Sequence, residues 1–200
     1  ALALQVLSNL INDYYDFRKG ADQAGRAGFK RALAEGEVSP QQMQFAILAT
    51  LCVALATGAW LVYQGGLPIL AIGLTALLFA WLYTATDHSL SYLGIADIFV
   101  YLYYGVIATM GTCYLQGSAF FYGRAFFAGS VCGLKSMCVL MINHLRDAAD
   151  DRAAGKRTFV VRFGKRAGEW AMLLLILLTP VFAYCAFGLG WAMLILLPLL

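Results

Sequence analysis

The stretch "QFAILATLCVALATGAWLVYQGGLPILAIGLTALLFAWLY" (residues 44–83) contains no charged side chain, and the acids that flank it are Glu37 and Asp87. Its middle, QGGLP (64–68), combines glycine and proline as turns do. On either side of this turn lie roughly 20 apolar residues, enough for a helix to cross a hydrocarbon core of about 30 Å. The stretch therefore predicts two membrane-spanning helices.

The composition of the whole chain agrees with this prediction. Of its 200 residues, 62% are hydrophobic and 12% are charged, whereas soluble domains carry about 25% charged residues. We therefore predict an all-α, polytopic transmembrane helical bundle that forms one domain over residues 1–200. Because both ends lie inside apolar stretches, we expect the chain to be truncated at both ends. Spans are predicted near 1–17, 41–63, 67–86, 96–116, 121–145 and 170–188, with a seventh starting at 191.

The basic residues indicate the orientation of these spans. Twelve of the fourteen Lys and Arg residues fall within 18–31 and 146–166. Alternating spans place the loops 18–40 and 146–169 on the same side of the membrane. Lys and Arg accumulate in short cytoplasmic loops, so we expect both loops to face the cytoplasm of a bacterial-type inner membrane.

Orientation does not explain the acidic residues, because Asp and Glu contribute little to it. "NDYYDFRKGAD" (12–22) and "NHLRDAADDRAAGKRT" (143–158) both open with Asn-x-x-x-Asp and together hold six of the eleven acids. Residues four apart share a helix face, and Gly20 permits the first helix to end before Asp22. The stripes predicted in this way are Asn12 with Asp16, and Asn143 with Asp147 and Asp151.

Carboxylates stacked on one helix face repel each other, so a nearby cation is expected. Mg²⁺ prefers oxygen ligands and is usually held by one or two carboxylates together with substrate phosphates and water. The Arg and Lys residues between the acids can take the remaining phosphate charge. From spacing alone, two interpretations stay open: a site where two Mg²⁺ ions, one at each acidic motif, bridge to a diphosphate, and solvated charges at the membrane exits.

The two motifs also carry a resemblance to a known family. "NDYYDFRKGAD" and "NHLRDAADDRAAGKRTFVVRFG" (143–164) resemble the UbiA superfamily of intramembrane aromatic prenyltransferases, whose members have nine spans, so that six to seven would be present here. They are most similar to its menaquinone branch, the 1,4-dihydroxy-2-naphthoate polyprenyltransferases, as is "YLGIADIFVYLYYGVIATMGTCYLQ" (92–116). Two departures from the branch are His144, where Asn is usual, and "TATDHS" (84–89), which lacks the usual Gly and Pro.

The resemblance implies a magnesium-dependent transfer of a polyprenyl group from its diphosphate to an aromatic acid, with loss of CO₂ in the menaquinone branch. The partners are then a polyprenyl diphosphate, the aromatic acceptor and the lipid bilayer, with no nucleic acid. Asp16, Asp147 and Asp151 are the expected catalytic residues. The full set of expected Mg²⁺ ligands is Asn12, Asp16, Asp22, Asn143, Asp147 and Asp151. The expected diphosphate-binding residues are Arg26, Arg31, Arg146 and Lys156.

Three other functions can be compared with this one on the same sequence features. A prenyltransferase of the same superfamily with another acceptor, such as 4-hydroxybenzoate, fits the same motifs. A membrane cation transporter would place ionisable groups near the bilayer midplane, whereas these acids cluster at span ends. A non-catalytic scaffold leaves both stripes unexplained. Lys135 lies within a span, so we expect it to face the bundle interior or to pair with an acid such as Asp97.

Overall fold

The computed structural model describes residues 1–20, 31–83, 90, 94–117 and 122–188. In this part of the chain every regular element is a helix, which confirms the predicted all-α class. The helices in chain order are α1 (Leu2–Arg18), α2 (Pro40–Leu82), α3 (Ala96–Val100), a π-helix (Tyr101–Val106), α4 (Ile107–Leu115), α5 (Gly123–Arg146), α6 (Ala148–Ala153), α7 (Phe159–Phe163) and α8 (Lys165–Phe187).

Four helical segments in the described ranges are long and apolar enough to span a membrane: Pro40–Leu82, Ala96–Leu115, Gly123–Arg146 and Lys165–Phe187. Their outer surfaces are suited to lipid. In α2, large side chains such as Tyr63 and Leu67 are 79% and 78% exposed, which is costly in water but not against hydrocarbon. The predicted transmembrane bundle is therefore confirmed.

Several predicted boundaries differ from the observed ones. Helix α1 has 17 residues and covers the predicted span at 1–17. Helix α8 begins at Lys165, five residues before the predicted start at 170, because the basic first turn continues the same helix. The segment 84–89 and the predicted seventh span from 191 lie outside the described residues.

Helix α2 folds back on itself near its middle. As a straight helix its 43 residues would be about 65 Å long. Both of its ends nevertheless meet consecutive tyrosines of α1: Gln44 Nε2 donates to the hydroxyl of Tyr14, and the Trp81 ring lies 5.5 Å from the Tyr15 ring. The reversal is at Gly66, whose φ of 65° and ψ of −152° are open to glycine almost alone. The predicted division at QGGLP is thus confirmed.

The chain packs into two compact units. The first consists of Ala1–Ala96 and Arg146–Arg162, and the second of Asp97–Leu145 and Phe163–Leu200. In the first unit a buried cluster of Tyr14, Leu33 and Met43 holds the end of α1 against the start of α2. This packing sets the position of the polar residues at the end of α1.

The second unit contains a close crossing of the π-helix and α5. A Cβ atom added to Gly105 would lie 2.5 Å from the Gly133 backbone, and one added to Gly133 would lie 2.6 Å from the carbonyl oxygen of Tyr101. The Tyr101 hydroxyl donates to Ser130 Oγ at 2.8 Å. Small residues allow two helices in a membrane to approach in this way. Tyr101, part of the aromatic stretch at 101–104, therefore serves helix packing.

Candidate active site at the end of helix α1

The first acidic motif lies in the last turns of α1. This helix ends at Arg18, and the chain turns at Gly20, which has a φ of 70° and donates its N–H to the carbonyl of Phe17 at 3.0 Å. The left-handed conformation of Gly20 is the usual way for a helix to end, as the sequence predicted. One helical turn apart, Asn12 is partly exposed and Asp16 is 1% exposed.

A buried ion pair joins this motif to the second one. Lys156 Nζ donates to Asp16 Oδ2 at 2.7 Å across 140 residues of sequence. The side chains of Lys156 and Asp16 are 10% and 2% exposed. Separating two buried charges would leave each of them unmatched, which is costly, so this contact keeps the loop after α6 at the end of α1. It brings together two of the predicted site residues.

The predicted stripe of Asn143, Asp147 and Asp151 on one continuous helix is wrong. Helix α5 ends at Arg146, and Asp147 has a φ of −96° and a ψ of 11°, outside the helical region, before α6 begins. The reason is local. Arg146 donates from Nε to Asp147 Oδ1 at 2.6 Å and from Nη2 to Oδ2 at 2.8 Å. This bidentate pair between neighbours holds the carboxylate, and the backbone bends around it.

Backbone hydrogen bonds nevertheless connect the residues of the second motif. The Asp151 N–H donates to the carbonyl of Asp147 at 2.8 Å, and the Lys156 N–H donates to the carbonyl of Asp151, also at 2.8 Å. Asp147 and Asp151 are 7% and 5% exposed. The three residues expected to be catalytic are therefore all buried in the first unit. Backbone hydrogen bonds connect Asp147 and Asp151 to Lys156, whose side chain pairs with Asp16.

A second ion pair lies on the same stretch of α1. Arg31 Nη1 donates to Asp13 Oδ1, and the two side chains are 37% and 22% exposed. Arg31 was expected to bind diphosphate, and the structure places it beside the first motif. Its side chain is partly exposed, so another anion can reach the guanidinium.

Three predicted site residues lie outside the described part of the first unit. Asp22 and Arg26 lie outside the described residues. Asn143 is in the last turn of α5 and belongs to the second unit. These three assignments stay predictions.

The predicted pairing of Lys135 with Asp97 is not found. The Lys135 side chain is exposed, and Asp97 lies beside His144 instead, with Asp97 Oδ1 and His144 Nδ1 3.8 Å apart. Lys135 is nine residues before His144, about 13 Å along α5. It is therefore at a different level from the start of α3, where Asp97 lies.

Gly94 supports the site and was missed by the sequence reasoning. Its φ is 74°, and a Cβ atom at this position would lie 2.0 Å from the carbonyl oxygen of Arg157. The turn at Gly94 therefore packs directly against the backbone next to Lys156. The only signal in the sequence was a glycine after the apolar pair of Tyr92 and Leu93, which does not reveal a contact with a loop more than sixty residues away.

The site has an acceptor that suits a cation. Asp16 Oδ1 is buried and has no hydrogen-bond partner among the described residues. No group of three or more His, Cys, Asp or Glu residues in the described ranges is arranged to hold a metal by itself. Mg²⁺ commonly takes only one or two carboxylates and completes its shell with phosphate and water. The donor set fits such an ion, with Asp16 Oδ1 as its best-placed ligand atom.

Comparison with known proteins assigns this arrangement to a family. The family model for the UbiA prenyltransferase family matches residues 1–200. The chain belongs to the UbiA prenyltransferase family. As expected of that family, it is an integral membrane protein with charged motifs at the ends of its helices.

Individual members of the UbiA family resemble this chain over most of its length. The 1,4-dihydroxy-2-naphthoate octaprenyltransferase of Escherichia coli (strain K12) is 34% identical, over 98% of this chain and 68% of that protein. The protein of the same name from Haemophilus influenzae is 31% identical, over 96% of this chain and 63% of that protein. The chain thus spans about two thirds of these relatives. No solved structure matches it significantly.

Proposed function

We propose that this chain carries the active site of a magnesium-dependent prenyltransferase of menaquinone biosynthesis. The reaction transfers a polyprenyl group from polyprenyl diphosphate to 1,4-dihydroxy-2-naphthoate, with release of CO₂ and diphosphate. Two relatives that are 34% and 31% identical carry the name of this activity. The resemblance of the second motif to the menaquinone branch supports the same acceptor. Another aromatic acid, such as 4-hydroxybenzoate, is the alternative acceptor.

The observation that carries the proposal is the buried pair of Asp16 and Lys156. It brings the two acidic motifs, which lie at opposite ends of the chain, to one place in the first unit. Charged side chains that only interact with water at the membrane surface would not need to be buried or to contact each other. A site that must hold a highly charged diphosphate does need carboxylates and bases together.

The roles of the residues follow from their charge and exposure. Breaking the allylic C–O bond leaves negative charge on the diphosphate, and fixed cations stabilise it. Arg31 and Arg146 have side chains that are 37% exposed, so phosphate oxygens can reach part of each guanidinium. Mg²⁺, when bound, supplies a Lewis acid that neutralises the leaving group. Asp16 would hold one such ion, with Asn12 as a neutral ligand, and Asp147 and Asp151 of the second motif would hold a second one.

The apolar helices supply the other requirement. An allylic cation must react with the aromatic carbon before water does, and a site that excludes water protects it. The new C–C bond forms at the ring carbon that carries the carboxylate, which leaves as CO₂. We further propose that the loops 18–40 and 146–169 face the cytoplasm, since they hold most of the basic residues.

The test is a transfer assay with the full-length protein in membranes. Labelled polyprenyl diphosphate is offered with dihydroxynaphthoate or with 4-hydroxybenzoate, with Mg²⁺ or with excess chelator. We expect labelled prenylated product and CO₂ with dihydroxynaphthoate and Mg²⁺ only. Product with 4-hydroxybenzoate alone would assign the other acceptor, and product with neither would contradict the proposal.

A further inference from the structure

Lys156 differs from the other described bases of the site in its surroundings. Its side chain is 10% exposed, whereas those of Arg31 and Arg146 are each 37% exposed. Arg31 pairs with the partly exposed Asp13, and Arg146 pairs with its chain neighbour Asp147. Lys156 instead pairs with the most buried carboxylate of the site, that of Asp16.

The backbone holds Lys156 in this position. Its N–H donates to the carbonyl of Asp151 at 2.8 Å. The preceding Gly155 has a φ of 75° and the following Arg157 packs against Gly94. The ammonium group is therefore directed to Asp16 by the fold of the loop, and is not a mobile surface charge that happens to lie nearby.

A buried carboxylate that stays ionised needs a cation beside it, because an unmatched buried charge is very unfavourable. Lys156 occupies Oδ2 of Asp16 and leaves Oδ1 buried without a partner among the described residues. A divalent ion that arrived alone at Oδ1 would be repelled by the nearby ammonium. A divalent ion accompanied by a diphosphate would not, because the phosphate oxygens offer the ammonium new acceptors.

We propose that Lys156 is a resident counter-ion of Asp16 that makes divalent-metal binding depend on the diphosphate. In the free protein its ammonium neutralises the carboxylate. When metal and diphosphate enter together, the metal takes over Asp16 and the ammonium exchanges the carboxylate for phosphate oxygens. Lys156 is thus a positioning residue that disfavours metal binding at Asp16 when no diphosphate is present. This inference rests on the proposed function and adds an order of binding to it.

The experiment measures metal binding and not turnover. Full-length protein in lipid nanodiscs is titrated with Mn²⁺, followed by the electron paramagnetic resonance signal of the free ion, with and without inorganic diphosphate. In the wild-type protein we expect diphosphate to tighten Mn²⁺ binding by about tenfold or more, a usual size for coupled sites. In Lys156→Met we expect Mn²⁺ to bind without diphosphate, and the coupling to fall to about threefold or less.

Two control variants complete the design. Arg152→Gln removes one positive charge from the exposed end of α6 and should keep the wild-type coupling. Lys156→Arg keeps a cation beside Asp16 and should also keep it. If Lys156→Met is not folded in metal-free buffer, Lys156→Gln replaces it, because its amide can still donate to Asp16.

The outcomes separate this inference from the proposed function. If Lys156→Met and Lys156→Gln show the same coupling as the wild-type protein, or if Arg152→Gln loses the coupling equally, the counter-ion role is wrong even when prenyl transfer is observed. If the wild-type protein binds no Mn²⁺ with diphosphate and transfers no prenyl group, the proposed function itself fails.

Discussion

Two ion pairs on the last turns of α1 differ in nearly every respect. Asp13 pairs with Arg31, only 18 residues away, and the two side chains are 22% and 37% exposed. Asp16 pairs with Lys156, 140 residues away, and the two side chains are 2% and 10% exposed. The two carboxylates are three positions apart on one helix, yet one belongs to a surface contact and the other to the centre of the site.

The difference shows what the site requires from the fold. A half-exposed pair contributes little to stability, because water and salt screen it. A buried pair contributes little net stability either, but removing one partner leaves an unmatched charge and is strongly destabilising. We expect such a pair where a charge must be kept away from water. Of the two carboxylates, only that of Asp16 is buried in this way.

The largest expected effect is on turnover. Asp16→Asn should reduce prenyl transfer by about a thousandfold, because its carboxylate would hold the ion that stabilises the leaving group. Asp13→Asn, a matched change on the same helix, should reduce it by less than about tenfold, as it loses only a partly exposed pair. Steady-state assays in membranes compare the two, with expression and helicity as controls. Equal losses would remove the distinction between the two pairs.

The next effect concerns stability. Lys156→Met should lower the free energy of unfolding by about 3 kcal/mol, since it leaves the Asp16 carboxylate buried without its cation. Arg31→Met should lower it by about 0.5 kcal/mol. Unfolding in mixed micelles, followed by circular dichroism, measures both. The double variant Asp16→Asn with Lys156→Met should recover most of the loss, and a failure to recover would mean that the lysine stem, not its charge, supports the fold.

Much of the fold could be predicted because local chemistry determines it. The charge-free stretch at 44–83 and its QGGLP turn predicted two spans, and Gly20 predicted the end of α1. Both depend on a few neighbouring residues. The same holds for the general location of the site, since each acidic motif follows or ends an apolar helix.

The partners within the site could not be predicted in the same way. The sequence assigned Lys156 to the diphosphate and not to Asp16, because a contact across 140 residues depends on how α1 meets the loop after α6. It also continued the helix through Asp147, since periodicity does not show that Arg146 would hold the neighbouring carboxylate. Asp16 differs from Asp13 in its greater burial. Burial depends on tertiary packing, which the spacing of residues does not reveal.

Gly94 offers a way to disturb one pair and spare the other. Gly94→Ala should destabilise the protein by about 2 kcal/mol, because it adds a side chain at a positive φ and against the Arg157 carbonyl. The displaced loop should weaken the Asp16–Lys156 contact and leave Asp13–Arg31 intact. Gly117→Ala is a matched control, with a φ of 88° but no atom within 4 Å of the added Cβ. Gly117→Ala should lower the stability through backbone strain but should not lower the rate of prenyl transfer.

The smallest effect is the response of the two pairs to salt. Each pair is removed in a double-mutant cycle, Asp13→Asn with Arg31→Met and Asp16→Asn with Lys156→Met, and the coupling free energy is measured at about 0.1 M and about 1 M salt, where the Debye length falls from about 10 Å to about 3 Å. For the exposed pair the coupling should fall from about 0.5 kcal/mol towards zero. For the buried pair it should change by less than about 0.5 kcal/mol, because ions do not enter between two side chains that are 2% and 10% exposed. A proportional decrease in both cycles would show that water and ions reach Lys156 as freely as they reach Arg31, and the buried counter-ion would then be no different from a surface contact.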